Sequence, residues 1–156
     1  LERVMPIAAR SGVRDVVIHS GSKVYWMTDR EASAQLRAVL PRLNALGERF
    51  GVTLALETAE WLNGGPDRLE MVLEAGHPWI RLCLDVGHLT EPEEGATLPP
   101  LGRYPSLAAM IADFAPHTTV AHLHDAAPPG AGKDDPRAHG PLGPDGRIDF
   151  AAVVEA

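Results

Sequence analysis

Two apolar patterns alternate along the chain. Apolar residues at helical spacing predict a long helix over residues 29–50 and shorter helices over 1–10, 67–75, 107–114 and 150–156. Short stretches rich in β-branched and aliphatic residues predict strands over 13–19, 52–57, 79–85 and 118–124. The chain is therefore predicted to alternate strand and helix four times.

Polar residues and glycines mark the ends of the predicted helices. Thr28 or Asp29 can cap the start of the long helix, and Ser106 and Asp149 stand where two shorter helices would begin. Pro41 is predicted to kink the long helix, because proline lacks a backbone N–H and its ring meets the preceding turn. Glycines follow the last apolar position of three predicted helices, at Gly12, Gly51 and Gly76.

The regular alternation is typical of βα units around a parallel sheet, in either a doubly wound sheet or a (β/α)₈ barrel. The strand-to-helix connections are long, as at the catalytic face of a barrel, and the helix-to-strand connections are short. No glycine-rich phosphate-binding motif follows the first strand, which disfavours a dinucleotide-binding sheet. The expected fold is α/β, a (β/α)₈ TIM barrel present as a partial barrel of about four parallel strands.

The length of the chain fits part of such a barrel. A complete barrel needs about 250 residues, and the chain has 156. Residues 1–10 and 150–156 predict helices that begin or end abruptly. We therefore expect residues 1–156 to form a single partial TIM-barrel domain that is truncated at both ends.

Potential metal ligands close every predicted strand. They are His19 after the first, Glu57 after the second, Asp85 followed by His88 after the third, and His122 with His124 after the fourth. Because consecutive parallel strands end at the same rim, these side chains should meet there. A hard divalent ion prefers carboxylate oxygens together with imidazole, and it can polarise a carbonyl or stabilise an enediolate as a Lewis acid. The pattern therefore predicts a metal site at this rim.

Each of these residues also has a structural interpretation. Glu57 could cap a loop or lie in solvent, and Asp85 could form an Asx turn that leaves His88 exposed. His122 could be a buried core histidine. For His19 a structural role is as well supported as a functional one. His124 points the same way as His122 by strand alternation, so it could contact substrate or support a ligand.

Three other residues are predicted to be structural or to lie on the surface, outside the site. His77 and His117 precede strands and so lie at the opposite edge of the sheet. Cys83, two residues before Asp85, is predicted to pack as a small hydrophobic residue. As the single cysteine, it excludes an internal disulfide and a cysteine-rich zinc site.

The connection after the fourth strand is rich in proline and glycine. His139 opens a glycine-bracketed turn before the last helix and could fold back over the metal site. Lys133 or Arg137 could meet an anionic group of the substrate. The alternative is a flap exposed to solvent.

Composition narrows the function classes. The net charge is −7 and the isoelectric point is about 5.4, which disfavours binding to a nucleic-acid backbone. No run approaches 18 apolar residues, which excludes a transmembrane helix. We therefore expect a small-molecule substrate, with nucleic acid unfavoured and no membrane partner.

Five short motifs, in this order, resemble those of one protein family. They are Val17-Ile18-His19-Ser20-Gly21, Leu54-Ala55-Leu56-Glu57, Leu84-Asp85-Val86-Gly87-His88, His122-Leu123-His124-Asp125, and the segment from His139-Gly140-Pro141 to Ile148-Asp149-Phe150. The chain resembles the sugar phosphate isomerase/epimerase family, in the xylose isomerase-like TIM-barrel superfamily that also contains endonuclease IV. The resemblance runs from the first strand to Phe150.

The resemblance implies roles for these residues. Glu57, Asp85 and His122 would be three ligands of one divalent ion (Mn, Mg, Co or Zn), and a fourth ligand, a glutamate, would lie on a later strand outside this chain. Glu57 and His88 would be catalytic, with His88 against a substrate oxygen or a second metal. Substrate contacts are expected from His19, His88, His124, Arg137 and His139.

One position departs from the endonuclease branch. In that branch His19 and His139 correspond to positions that hold additional metals, and an aspartate stands two residues before the second of them. Here that place is taken by Arg137, with Asp135 nearby. The departure disfavours a trinuclear zinc site.

Three functions follow as hypotheses. The first is a metal-dependent isomerase or epimerase of a small sugar, sugar phosphate or polyol ketone, acting by proton transfer α to the carbonyl; a related inosose-type dehydratase would use the same residues. The second is a zinc-dependent nuclease of abasic DNA. The third is a homologue that binds without catalysis. We also expect a cytoplasmic protein, and a homo-oligomer is compatible with the sequence.

Overall fold

A computed structural model describes residues 1–21, 26–59, 62, 65–90, 101–125, 142 and 148–156. Its strands are β1 (Asp15–His19), β2 (Thr53–Glu57), β3 (Ile80–Asp85) and β4 (Thr118–His122). Its α-helices are α1 (Met5–Arg10), α2 (Asp29–Phe50), α3 (Pro66–Leu73), α4 (Leu107–Phe114) and α5 (Phe150–Glu155). Short 3₁₀ turns cover His88–Thr90 and Ala115–His117. The predicted alternation of strand and helix is confirmed.

The four strands form one parallel sheet in the order β1-β2-β3-β4. A doubly wound sheet reverses its strand order at a switch point, whereas a barrel adds each strand beside the last. The described strands lie side by side in chain order, as they do in a barrel. They form an open arc of a barrel, as the loop lengths predicted.

The two faces of the sheet differ in character because side chains alternate along each strand. Leu54, Leu56, Leu82 and Leu84 point toward the helices and are almost completely buried. They pack with α1, α2, α3 and α4 into one hydrophobic core. The opposite face carries Glu57, Asp85 and His122 at its carboxyl end. The core therefore fixes the strands from one side and leaves the other side for polar groups.

Helix α2 covers the sheet and begins as the sequence predicts. Thr28 caps it: the Thr28 hydroxyl accepts from the Glu31 N–H, and the Glu31 carboxylate accepts from the Thr28 N–H. The helix runs through Pro41 as one element and ends at Gly51 in the left-handed conformation. At Gly47 an added Cβ would lie 2.7 Å from Trp79 Cβ and 2.9 Å from the Val52 carbonyl. A glycine is needed there because helix and sheet approach too closely for a side chain.

The structure changes some predicted boundaries. β4 ends at His122, so His124 lies just beyond the strand on which the sequence placed it. α1 begins at Met5 and α3 ends at Leu73, which makes both shorter than predicted. Ser106 and Asp149 cap α4 and α5 as predicted, each accepting an N–H from three residues further on. Among the described residues, no helix combines the length and apolar character that crossing a bilayer requires.

Candidate active site

Glu57, Asp85 and His122 meet at the carboxyl ends of β2, β3 and β4. His122 Nδ1 lies 3.1 Å from Glu57 Oε1 and 3.5 Å from Asp85 Oδ2. The pairing of β3 and β4 shifts register at Leu82 and Cys83, and this irregularity brings Asp85 directly opposite His122. One ligand atom from each of Glu57, Asp85 and His122 lies within 4.8 Å of the others, close enough to share an ion.

The two carboxylates of this group are buried. Glu57 is 6% exposed and Asp85 is 2% exposed. A buried carboxylate is costly unless it is paired or coordinates a metal. Their nearest charged partners in the described structure are imidazoles, which are charged only when protonated. Two carboxylates and an imidazole suit a hard or borderline divalent cation, so the donor set fits a metal ion.

Three further histidines surround this group. His19, opposite Glu57 in the β1–β2 pairing, places Nε2 3.1 Å from Glu57 Oε2. His124 places Nε2 2.6 Å from Asp85 Oδ1. The His88 backbone N–H donates to the same Asp85 oxygen at 3.0 Å, and the His88 ring meets that of His124 edge to face. The structure thus brings together every predicted site residue that it describes. His139, Arg137 and Lys133 lie outside the described residues.

The Asx-type contact expected as the structural alternative for Asp85 is also present. Its side chain accepts the His88 N–H within the turn that follows β3. The same carboxylate still faces His122 and His124. The turn and the cluster therefore coexist, and the turn fixes one carboxylate oxygen.

Thr58 contributes to the site but carries no signal of its own in the sequence. It is fully buried, and its hydroxyl accepts the Asp85 N–H at 2.7 Å and donates to the Asp85 carbonyl at 3.3 Å. The Thr58 N–H donates to the Cys83 carbonyl at 2.9 Å. These bonds tie the end of β2 to the end of β3 and so hold Glu57 and Asp85 side by side. Only its position directly after Glu57 could have suggested this role.

His77 and His117 lie at the amino ends of β3 and β4, away from the cluster, as predicted. Cys83 is completely buried on the face that also carries Glu57 and Asp85. Burial, and to a smaller extent the charges of Glu57 and Asp85, raise the pKa of its thiol to about 12. The thiol is thus held neutral beside the carboxylates, in agreement with the predicted packing role.

We expect Cys83 to resist thiol reagents in the folded protein. With a pKa of about 12, its thiolate fraction at pH 8 would be on the order of 10⁻⁴, and the thiolate is the reactive form. A disulfide reagent such as DTNB should titrate no thiol in the native chain at pH 8 and one thiol per chain in guanidinium chloride. Stoichiometric reaction of the native chain within minutes would show that the thiol is accessible and its pKa ordinary.

Comparison with known proteins agrees with this architecture. The sequence model of the family described as xylose isomerase-like TIM barrel matches residues 1–156. No curated protein sequence matches the chain. Among solved structures, a D-tagatose 3-epimerase-like protein superposes with a TM-score of 0.70 at 17% identity, over 99% of this chain and 54% of that protein.

Two further structures are similar to the same extent. The IOLI protein with a bound zinc atom has a TM-score of 0.70 at 20% identity, over 99% of this chain and 52% of its own. D-allulose 3-epimerase from Methylomonas sp., in complex with D-allulose, has a TM-score of 0.68 at 19% identity, over 99% of this chain and 49% of that protein. The chain thus spans about half the length of these structures.

Proposed function

Because this chain belongs to the xylose isomerase-like TIM barrel family, we propose that it carries the metal-binding part of a divalent-metal-dependent isomerase or epimerase of a small sugar, sugar phosphate or polyol ketone. The observation that carries the proposal is the convergence of Glu57, Asp85 and His122 within 4.8 Å at the ends of three adjacent strands. As part of the same proposal, the protein is cytoplasmic.

The three side chains of this group would hold the ion. When bound, a divalent cation supplies Lewis-acid polarisation of a substrate carbonyl and of its neighbouring hydroxyl. Asp85 and His122 provide one oxygen and one nitrogen, and Glu57 provides an oxygen. The backbone around Asp85 is fixed by Thr58 and by the turn at His88. The residues are therefore preorganised before any ligand arrives.

Glu57 is also the candidate base. Its carboxylate is buried and lies between His19 and His122, with one oxygen facing each. We propose that it removes the proton α to the substrate carbonyl, a role that a positioned base fulfils with gains of about 10²–10⁴-fold. In an isomerisation Glu57 could return this proton to the neighbouring carbon. Epimerisation needs a proton donor on the opposite face of the substrate, a role that the glutamate expected on a later strand outside this chain could fill. His88 would hold a substrate oxygen, and His19 would contact substrate at the exposed side of the cluster.

The class of substrate is proposed from chemistry and from similarity together. The acidic chain disfavours a polyanionic polymer, and a small neutral ketose needs only hydroxyl and carbonyl contacts of the kind imidazoles provide. A similar structure holds D-allulose. We therefore propose a ketose of that size, with Arg137 and His139 as further substrate contacts.

Hydrogen exchange at the carbon next to the carbonyl tests this function directly. The full-length protein, loaded with Mn²⁺, is incubated with D-allulose and related ketoses in D₂O and followed by NMR. We expect solvent deuterium to enter at that carbon and the epimer to appear, with neither change after EDTA treatment. Exchange that survives complete removal of metal, or a protein that binds three zinc ions and cleaves abasic DNA, would overturn the proposal.

A further inference from the structure

The imidazole of His124 is enclosed on several sides at the end of β3. Its Nε2 lies 2.6 Å from Asp85 Oδ1, and its Nδ1 lies 3.1 Å from the carbonyl oxygen of Asp125. The ring of His88 packs edge to face against it, with centroids 5.5 Å apart. Its side chain is 13% exposed, against 40% for His122. His124 therefore faces Asp85 far more than it faces the open rim.

Gly87 makes room for this ring. A Cβ built on Gly87 would overlap the imidazole of His124, including its Nε2. The φ angle of Gly87 is not among the positive ones, so an L-residue could adopt its backbone conformation. The glycine is needed for space alone. Two residues that the sequence places in separate motifs, Gly87 and His124, are thus one steric unit.

The two oxygens of Asp85 have different neighbours. Oδ1 accepts the His88 N–H at 3.0 Å and lies against His124, whereas Oδ2 faces His122 at 3.5 Å. A carboxylate that turns freely about its last torsion would present either oxygen to an ion. The bond from the His88 N–H and the contact with His124 both fall on Oδ1, so they fix that torsion and leave Oδ2 facing His122.

We propose that His124 is a positioning residue that acts through Asp85, and that Gly87 is the space in which it sits. The inference deepens the proposed function and rests on it, because it assigns His124 to the orientation of a metal ligand. Residues that orient metal ligands typically account for 10–100-fold in metal affinity. His124 is expected to contribute within that range.

A second ion is the competing interpretation of the same cluster. One ligand atom from each of Asp85, His88 and His124 also lies within 4.8 Å of the others. An ion there would make His124 a ligand in its own right. The two interpretations differ in stoichiometry: positioning requires one ion per chain, and the alternative requires two.

Cobalt titration of the full-length protein separates these outcomes. Co²⁺ reports its coordination through its visible absorption, and equilibrium dialysis gives the affinity and the number of ions bound. We expect one ion for the wild type and a 10–100-fold weaker affinity for His124→Ala with one ion still bound. Partial rescue is expected in His124→Gln, whose amide offers a polar N–H group in place of the imidazole beside Asp85. His117→Ala, an exposed histidine on the opposite edge, is the matched control and should bind as the wild type does.

A double-mutant cycle tests the steric unit. In the wild-type background, Gly87→Ala should weaken Co²⁺ binding about as much as His124→Ala does. In the His124→Ala background it should cause no further loss, because there is no imidazole ring to displace. A purely local effect of the extra methyl would appear in both backgrounds. Thermal unfolding without metal checks that each variant folds.

The possible results distinguish a failure of this inference from a failure of the proposed function. Unchanged Co²⁺ affinity in His124→Ala, additive losses in the cycle, or two ions in the wild type of which His124→Ala loses one would overturn the inference and leave the proposed function standing. A wild type that binds no Co²⁺ would overturn the proposed function itself, and the inference with it.

Discussion

Asp85→Asn is expected to abolish the stabilisation of the protein by metal. A ligand that binds only the folded state adds about 2.7 kcal/mol at a concentration of 100 times its Kd. For a domain of 150–250 residues this raises Tm by roughly 5–11 °C. Asp85 is the carboxylate that both candidate groups share, and its replacement by a neutral amide removes a charged ligand while keeping an oxygen for the His88 N–H. The variant should show no rise in Tm with Mn²⁺.

The measurement is a thermal melt of the wild type and the variant, each with EDTA and with increasing Mn²⁺. Asp113→Asn is the matched control, because Asp113 is an exposed carboxylate on α4 that contacts Arg103 and Tyr104, away from the cluster. It should keep the full shift in Tm. An Asp85→Asn protein whose Tm shifts as much as that of the wild type would show that the ion binds elsewhere.

The architecture could be predicted from sequence because its causes are local or periodic. Strands that are buried against helices have short aliphatic stretches in the sequence, and α2 carries its own capping residues and a terminal glycine. Parallel strands end at one rim, so the last residue of each strand falls there whatever the details of packing. For that reason Glu57, Asp85 and His122 could be grouped from their places in the sequence alone.

The details of the site depend on contacts that no local pattern encodes. The Thr58 hydroxyl bonds to Asp85, which lies 27 residues further along the chain. Gly87 has an ordinary backbone conformation, and the glycine is explained by the approach of the His124 ring from the segment that follows β4. The end of β4 at His122 is not marked in the sequence either, and the His124 side chain beyond it lies against Asp85.

The rim therefore combines two kinds of residue with different tolerances. For ligands such as Glu57 the functional group of the side chain is what matters, and their replacement changes what the site can bind. Supports such as Thr58 act through backbone bonds, and the core under the sheet fixes the strands from the other face. Substitutions in the first group are expected to change function with little loss of fold, which is why they make the clearest tests.

Glu57→Gln is expected to have the largest effect on turnover. Glutamine keeps the shape of the side chain and one oxygen, but it carries no negative charge and cannot accept the substrate proton. Loss of a positioned base costs about 10²–10⁴-fold in rate, and the missing charge should also weaken the metal. Assays at saturating Mn²⁺ separate these effects. Saturation fills the metal site despite the weaker affinity, so any loss of rate that remains is due to the missing base.

Glu74→Gln makes the same chemical change where no catalysis is expected. Glu74 is exposed and pairs with Arg37 at 2.9 Å on the helical side of the sheet, and exposed pairs contribute about 0–1 kcal/mol. Its turnover should equal that of the wild type. If Glu57→Gln at saturating Mn²⁺ also exchanges and epimerises the ketose at the wild-type rate, another group moves the proton, and Glu57 is left with a role in holding the ion only.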